Sequence, residues 1–120
     1  MRILLAEDQA PTARIMRMAL EKAGYSVTVK HNGKEALDAV LQDPPDALVT
    51  DIEMPIMTGQ ELCLTLADQM PDRTFPVYVV TSVTDMVHRE WTKSIDNLFF
   101  LEKPVGIKRL ASELEQRLGQ

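Results

Sequence analysis

The chain has 120 residues and one cysteine, so it is long enough for one domain with a single apolar core and cannot form an internal disulfide. Its formal net charge of −5 argues against a chain that grips the phosphate backbone of nucleic acid by itself. No apolar run is long enough to span a bilayer and no signal peptide precedes the first apolar run, so we expect a cytoplasmic protein without a membrane partner.

The first half of the chain alternates short apolar runs with apolar residues at helical spacing, which predicts alternating strands and helices. In chain order these elements are a strand at Ile3 to Ala6, a helix with the stripe Ile15, Met16, Ala19, Leu20 and Ala23, a strand at Tyr25 to Lys30, a helix with Ala36, Leu37, Val40 and Leu41, a strand at Asp46 to Thr50, and a helix with Leu62, Leu64, Leu66 and Ala67. Pro11 suits a first helical turn, and Gly24 ends the first helix. Asn32-Gly33 is read as a turn. Cys63 is expected to be a small core residue.

The second half continues the same alternation. Its elements are a strand at Val77 to Val80, a helix with the stripe Val83, Val87, Trp91 and Ile95, a strand at Leu98 to Leu101, and a helix with Ile107, Leu110, Ala111, Leu114 and Leu118. The place of Trp91 in this stripe favours a core position over an exposed contact. His31 and His88 are expected to be solvated rather than metal ligands.

Five strands alternating with five helices predict an α/β fold, a doubly wound parallel sheet with helices on both faces. Polar residues follow the carboxyl ends of its strands, where open parallel sheets bind their ligands. These residues are Glu7, Asp8, Asp51, Thr81 and Lys103. Taken alone, Asp51 is as well explained as a cap of the next helix. Taken together, the residues are expected to meet at one edge of the sheet.

Such an edge has a definite chemistry. The carboxylates of Glu7, Asp8, Asp51 and Glu53 would repel one another, and Mg²⁺, which prefers a few carboxylates together with water and phosphate oxygens, would relieve that repulsion. Asp51 could then act as a nucleophile toward phosphorus and form an aspartyl phosphate. Lys103 would supply positive charge for the phosphoryl oxygens, and Thr81 a hydroxyl donor. The alternative is a set of solvated strand ends with no shared role.

The residues and their order resemble the receiver domain of two-component response regulators over essentially the whole chain, 1–120, as a single domain. The matching motifs are Glu7-Asp8, Asp51 with Met54-Pro55 and Thr58-Gly59, Thr81-Ser82, and Lys103-Pro104. The resemblance implies a five-stranded parallel sheet in the order 2-1-3-4-5, flanked by five helices. One departure is the segment Ser94-Ile95-Asp96-Asn97, which stands where many members carry Ala-Gly-Ala.

The resemblance also implies roles for particular residues. Asp51 would be the phosphorylation site, and Asp8, Asp51 and the backbone carbonyl of Glu53 would hold Mg²⁺, with Glu7 assisting through water. Lys103 would contact the phosphoryl group. Thr81 would bind it after phosphorylation, and Phe100 matches the switching aromatic of the family.

The resemblance further implies a signalling switch, which is not an enzyme beyond promoting its own phosphorylation and dephosphorylation. Its phosphodonor would be a sensor histidine kinase or a histidine phosphotransfer protein. Its output surface would comprise the fourth helix, fifth strand and fifth helix, and would act on a downstream effector domain or protein. A homodimer is left open, and no direct contact with nucleic acid is expected.

Two other functions compete with this one. Asp51-Ile52-Glu53 loosely resembles the Asp-x-Asp motif of aspartyl-nucleophile phosphatases of the haloacid dehalogenase superfamily. Those enzymes place the nucleophile after the first strand and usually carry a cap, whereas here Glu7-Asp8 follows the first strand. The other alternative is a receiver-like binding module that is never phosphorylated.

Overall fold

The computed structural model describes residues 1–81, 86–102 and 107–118, with the backbone alone at 86–89, 102, 107 and 108. Strands and helices alternate along it as the sequence predicts. The elements are β1 (Arg2–Ala6), α1 (Ala10–Lys22), β2 (Ser26–Lys30), α2 (Gly33–Gln42), β3 (Ala47–Thr50), α3 (Gly59–Gln69), β4 (Val77–Thr81), α4 (Met86–Lys93), β5 (Leu98–Glu102) and α5 (Ile107–Leu118).

The five strands form one parallel sheet in the order β2-β1-β3-β4-β5. This is the order implied by the resemblance, and the α/β class and doubly wound topology are confirmed. The chain begins in the middle of the sheet, since β1 pairs with both β2 and β3. The order of the strands therefore reverses at β1, which places the carboxyl ends of β1 and β3 at the switch point where such sheets bind ligands.

Successive residues of the central strands bury their side chains on opposite faces of the sheet. Leu4 and Leu48 belong to a core shared with α2, α3 and Trp91 of α4, whereas Ile3 and Val49 belong to a second core shared with α1 and α5. Because both faces are covered, the strands read as nearly continuous apolar runs rather than as alternating ones. Trp91 is buried, as expected from its stripe.

Three large apolar residues of the predicted helical stripes are exposed. Ile15 is 58% exposed, Leu64 is 44% exposed, and Leu41 is exposed as well. Ile15 and Leu41 each directly follow or precede a buried residue of their own stripe, about 100° around the helix, and Leu64 lies about 200° from Leu62 and from Leu66. Stripes that include these residues therefore overstate the buried face. The buried face of α1 is instead formed by Ala13, Met16 and Leu20.

The turn predicted at Asn32-Gly33 lies one residue earlier, since the chain bends at His31 and Asn32 and α2 begins at Gly33. Asn32 is the N-cap of α2, and its Oδ1 accepts a hydrogen bond from the backbone N–H of Glu35 at 2.8 Å. Gly33 is the first residue of that helix, where its N–H donates to the carbonyl of Met57 at 3.0 Å. A Cβ at residue 33 would lie 2.3 Å from that carbonyl oxygen, so the glycine permits a close approach between α2 and the β3–α3 loop.

The atypical segment after α4 is held by Arg73, which lies between α3 and β4. Its guanidinium donates to the carbonyls of Phe75 at 2.7 Å, of Asn97 at 3.1 Å, and of Asp96. Asn97 has a positive φ of 56°, which asparagine tolerates well, and its amide donates to the carbonyl of Thr74 at 3.2 Å. Burial lowers the pKa of Arg73. The α4–β5 connection is thus fastened to the α3–β4 loop.

Candidate functional site

The strand register brings the ends of β1 and β3 to the same edge of the sheet. Ala6 pairs with Thr50, and the N–H of Asp51 donates to the carbonyl of Ala6 at 3.1 Å. Glu7 continues β1, with its N–H donating to the carbonyl of Lys30 at 3.0 Å. Glu7 and Asp51 line one small space together with Met16 of α1. The predicted meeting of the first and third strand ends is therefore observed.

The acidic residues of this edge differ in burial. Glu7 is only 1% exposed, Asp51 is partly buried, and Asp8 and Glu53 are exposed. Burying a carboxylate beside a second carboxylate costs free energy unless a cation compensates the charge. Oxygen donors of graded exposure at one edge fit a hard divalent cation that keeps part of its water.

A metal site made of side chains alone is absent from the described ranges. No three His, Cys, Asp or Glu side chains in them lie together as ligands of a metal ion. The Mg²⁺ ligands implied by the resemblance differ from such a site. They comprise two carboxylates that would contact the cation directly, those of Asp8 and Asp51, and the backbone carbonyl of Glu53. His31 is exposed, and its Nδ1 lies 3.2 Å from the carbonyl of Glu7.

The loop after Asp51 is tied back to the end of β3. The Oδ1 of Asp51 accepts from the N–H of Ile52 at 2.6 Å, and the N–H of Gly59 donates to the carbonyl of Ile52 at 2.7 Å. A Cβ at residue 59 would lie 1.8 Å from the carbonyl oxygen of Asp51, so only glycine fits there. The loop from 52 to 59 is therefore closed at its base, directly beside Asp51.

The capping explanation of Asp51 is wrong. The N-cap of α3 is Thr58, whose hydroxyl accepts from the N–H of Glu61 at 3.1 Å. The Glu61 carboxylate accepts in return from the N–H of Thr58 at 3.0 Å, which completes a capping box. Since α3 has its own cap, Asp51 does not serve that purpose.

Thr81 is the last residue of β4, the strand next to β3, and it is buried. Its β5 partner in the register is Glu102, the residue before Lys103. Lys103, Pro104, Ser82 and Val83 lie outside the described residues. Phe100 of β5 is partly buried and packs against the core on the α2–α3–α4 side of the sheet.

Sequence reasoning missed two features of this site. Gly33 supports the loop from the side of α2, and the pair Asn32-Gly33 that signals it in the sequence also has the composition of a turn. Ile56, at the tip of the loop, has a positive φ of 69°, which no sequence pattern indicates for a β-branched residue.

The model of the response regulator receiver domain family matches residues 3–115 of this chain. The chain belongs to the response regulator receiver domain family. Response regulator MprA of Mycobacterium avium is 34% identical over 118 residues, which are 98% of this chain and 51% of that protein. YkoG of Bacillus subtilis, described as a transcriptional regulatory protein, is 31% identical over the same length and with the same shares. The chain thus spans about half the length of these curated relatives.

Solved structures agree with this membership. The Francisella response regulator 1452 receiver domain is 28% identical, with a TM-score of 0.87 over 98% of this chain and 96% of that chain. A CheY-like receiver domain protein from Methanospirillum hungatei is 22% identical, with a TM-score of 0.90 over 98% of this chain and 93% of that chain, and shows the fold alone. The receiver resemblance is confirmed, and the phosphatase and binding-module alternatives are not favoured. No helix in the described ranges is both long and apolar enough to cross a membrane.

Proposed function

We propose that residues 1–120 form one receiver domain that acts as a phosphoacceptor switch, with Asp51 as the phosphorylated residue. The observation that carries the proposal is the position of Asp51. It follows β3 in the middle of the sheet, at the edge shared with Glu7 and Asp8, and the tightly closed loop beside it leaves its side chain partly exposed. A nucleophile needs this combination of a fixed backbone and access to a donor.

The donor is a phosphohistidine on a sensor histidine kinase or a histidine phosphotransfer protein. An Asp51 carboxylate oxygen attacks phosphorus, a phosphorus–oxygen bond forms, and the phosphorus–nitrogen bond to the imidazole breaks. The electron pair of that bond stays on the imidazole nitrogen, which takes up one proton from solvent, so that a neutral histidine leaves. The products are an aspartyl phosphate and an unmodified histidine.

The charge of the phosphoryl group must be balanced during this transfer. Asp8, Asp51 and the backbone carbonyl of Glu53 would hold Mg²⁺, and Glu7 would assist through water. When bound, the cation neutralises charge on the phosphoryl oxygens. Lys103 is proposed as the protein's own cation at this position.

The signal leaves the site through Thr81 and Phe100. We assign the Thr81 hydroxyl as the donor that binds the phosphoryl group after transfer, and Phe100 as the aromatic that changes position with it. Phe100 lines a groove of about 360 Å³ between α4, β5 and α5. The same groove includes Arg117, whose guanidinium stacks over the Phe99 ring at 3.7 Å. This surface would pass the signal to a downstream effector domain or protein, and the Bacillus relative, twice as long, is described as a transcriptional regulator.

Labelling with acetyl phosphate tests the proposal. In the presence of Mg²⁺, the intact mass of the wild-type chain should rise by one phosphoryl group, and Asp51→Asn should abolish the increase. Asp38→Asn is the matched control, because Asp38 lies on the exposed face of α2 in an ion pair with Lys34 and should not affect labelling.

Two outcomes would contradict the proposal. Full labelling of Asp51→Asn would move the phosphoacceptor elsewhere. A wild-type chain that takes up no phosphoryl group would favour the binding module, and steady turnover of a small phosphate ester would favour the phosphatase.

A further inference from the structure

Ile56 has a backbone conformation that its side chain disfavours. Its φ is 69°, and the other positive-φ residue besides glycine in the described ranges is Asn97. Asparagine enters the left-handed region at little cost, whereas a β-branched residue there is a genuine outlier. The N–H of Met57 donates to the carbonyl of Pro55 at 2.7 Å, so Ile56 is the central residue of a γ-turn of the rare, strained type.

The strain cannot relax because the loop is held on both sides. The carbonyl of Met57 accepts from the N–H of Gly33 at 3.0 Å, and the N–H of Gly59 donates to the carbonyl of Ile52 at 2.7 Å. Any residue at position 56 therefore has to adopt this conformation. Glycine or asparagine would do so at lower cost.

The isoleucine side chain buries little apolar surface that could offset this strain. It is 80% exposed, more than the other large apolar residues that the described ranges leave exposed, such as Met18 at 63%. An exposed apolar side chain on a strained backbone costs stability twice. Strain of this kind persists mainly where it serves a function.

We infer that Ile56 is an apolar contact for the protein that delivers the phosphoryl group, and that it contributes to the choice of donor. The inference rests on the proposed function of Asp51. The loop that carries Ile56 closes against the carbonyl of Asp51, so a protein that brings a phosphohistidine to Asp51 has to cover this loop. A small donor such as acetyl phosphate does not.

The charges around Ile56 indicate the chemistry of that partner. Glu53 is exposed in the same loop, three residues before Ile56, so the fitting surface has an apolar patch beside its phosphohistidine and basic residues opposite Glu53. A second copy of this chain fits poorly, since a symmetric contact through Ile56 would bring the Glu53 side chains of the two copies together.

Two phosphodonors separate docking from chemistry. The protein donor is a histidine kinase, selected from an autophosphorylated panel as the one that transfers fastest to the wild-type chain, and the small donor is acetyl phosphate. Ile56→Asn removes the apolar side chain and suits the positive φ, while Ile56→Leu keeps an apolar side chain. Leu64→Gln is the matched control, because Leu64 is an exposed apolar residue on α3, 44% exposed.

For Ile56→Asn, kcat/KM for transfer from the kinase should fall about tenfold, as expected for losing one buried aliphatic contact. Its rate with acetyl phosphate should stay within about twofold of the wild-type rate, and its Tm should rise because strain is relieved. Ile56→Leu and Leu64→Gln should transfer from the kinase at close to the wild-type rate.

Other results would overturn the inference. Unchanged transfer from the kinase to Ile56→Asn would remove the docking role, and an equal loss with both donors would show that Ile56 shapes the site instead. A lower Tm for Ile56→Asn would show that the isoleucine stabilises the fold. Loss of a wild-type dimer in Ile56→Asn, with transfer unchanged, would assign the residue to self-association. A wild-type chain that acetyl phosphate does not label would instead refute the proposed function.

Discussion

Replacing Gly59 by alanine tests whether the loop beside Asp51 is as closely packed as its geometry indicates. Helix propensity alone predicts that Gly59→Ala stabilises the chain by up to about 1 kcal/mol, since residue 59 is the first of α3. Packing predicts the opposite. The new methyl carbon would lie 1.8 Å from the carbonyl oxygen of Asp51 and 2.8 Å from its carbonyl carbon. Both neighbours are backbone atoms, so the segments would have to separate by about 1.6 Å to reach an ordinary contact of 3.4 Å.

The two effects can be compared in magnitude. Overpacking of a rigid site costs about 1–3 kcal/mol, and loss of the Gly59–Ile52 hydrogen bond of 2.7 Å costs about 1 kcal/mol more. After subtraction of the gain in helix propensity, the net loss is about 1–3 kcal/mol, which lowers the urea midpoint by roughly 0.5–2 M. Labelling by acetyl phosphate should slow by at least about tenfold, because Asp51 is displaced.

Gly24→Ala is the matched control for this experiment. Gly24 has a φ of 103°, with no atom within 4 Å of the position of a Cβ, so alanine there meets backbone strain alone. We expect a loss of about 1 kcal/mol and unchanged labelling. If Gly59→Ala were as stable as the wild type, or lost no more than Gly24→Ala, the close packing of the loop against Asp51 would be refuted.

The remaining predictions concern Arg73, the neighbouring acidic residues Glu7 and Asp8, and Cys63. The guanidinium of Arg73 donates to three carbonyls, so Arg73→Met should lose about 2–4 kcal/mol of unfolding free energy in urea. Arg73→Lys should recover less than half of that loss. Equal stability of the wild type and both variants would contradict this prediction. In calorimetric titrations, Asp8→Ala should weaken Mg²⁺ binding more than Glu7→Ala does, since the direct ligand matters more than one acting through water, and equal or reversed losses would refute that order. Burial raises the pKa of the Cys63 thiol from 9.0 to about 12, so the folded state holds this proton more tightly than the unfolded state. The resulting stability is complete below pH 9 and is lost as the pH rises toward 12, by up to about 1.4 kcal/mol per pH unit. Unfolding free energies should therefore fall more steeply above pH 9 in the wild type than in Cys63→Ala. Parallel pH profiles of the two chains would contradict the assignment.

The fold could be predicted from the sequence because its signals are local. Apolar runs such as Leu4 to Ala6 and Val77 to Val80 are continuous, as expected of strands buried on both faces, and the segments between them carry helical periodicity. The strand order could not be predicted from periodicity, which does not choose among the pairings of parallel strands. It came from the resemblance, carried by the residues around Asp51.

The errors arose where one residue type serves two purposes. Asn32-Gly33 has the composition of a turn, but asparagine is equally suited to cap a helix, and the glycine is required by the approach of Met57 from a distant part of the chain. The helical stripes were drawn too wide at Ile15 and Leu64, because an apolar residue on the surface has no sequence signal of its own.

The candidate site was predictable to the level of its strand ends. The positions of Glu7 and Asp51 at one edge follow from parallel pairing in the register Ala6–Thr50. The positive φ of Ile56 was not predictable, because it is imposed by hydrogen bonds to Gly33 and within the loop rather than by the preference of isoleucine. Such conflicts between local preference and observed conformation are expected at functional sites.

The central claim is that Asp51 carries the phosphoryl group, and chemical trapping tests it most directly. The wild-type chain is incubated with acetyl phosphate and Mg²⁺, reduced with borohydride, which converts an aspartyl phosphate to homoserine, and then analysed by peptide sequencing in a mass spectrometer. We predict homoserine at position 51 and at no other aspartate. Homoserine at another position, or a chain that gains no homoserine after full exposure to the donor, would contradict the account.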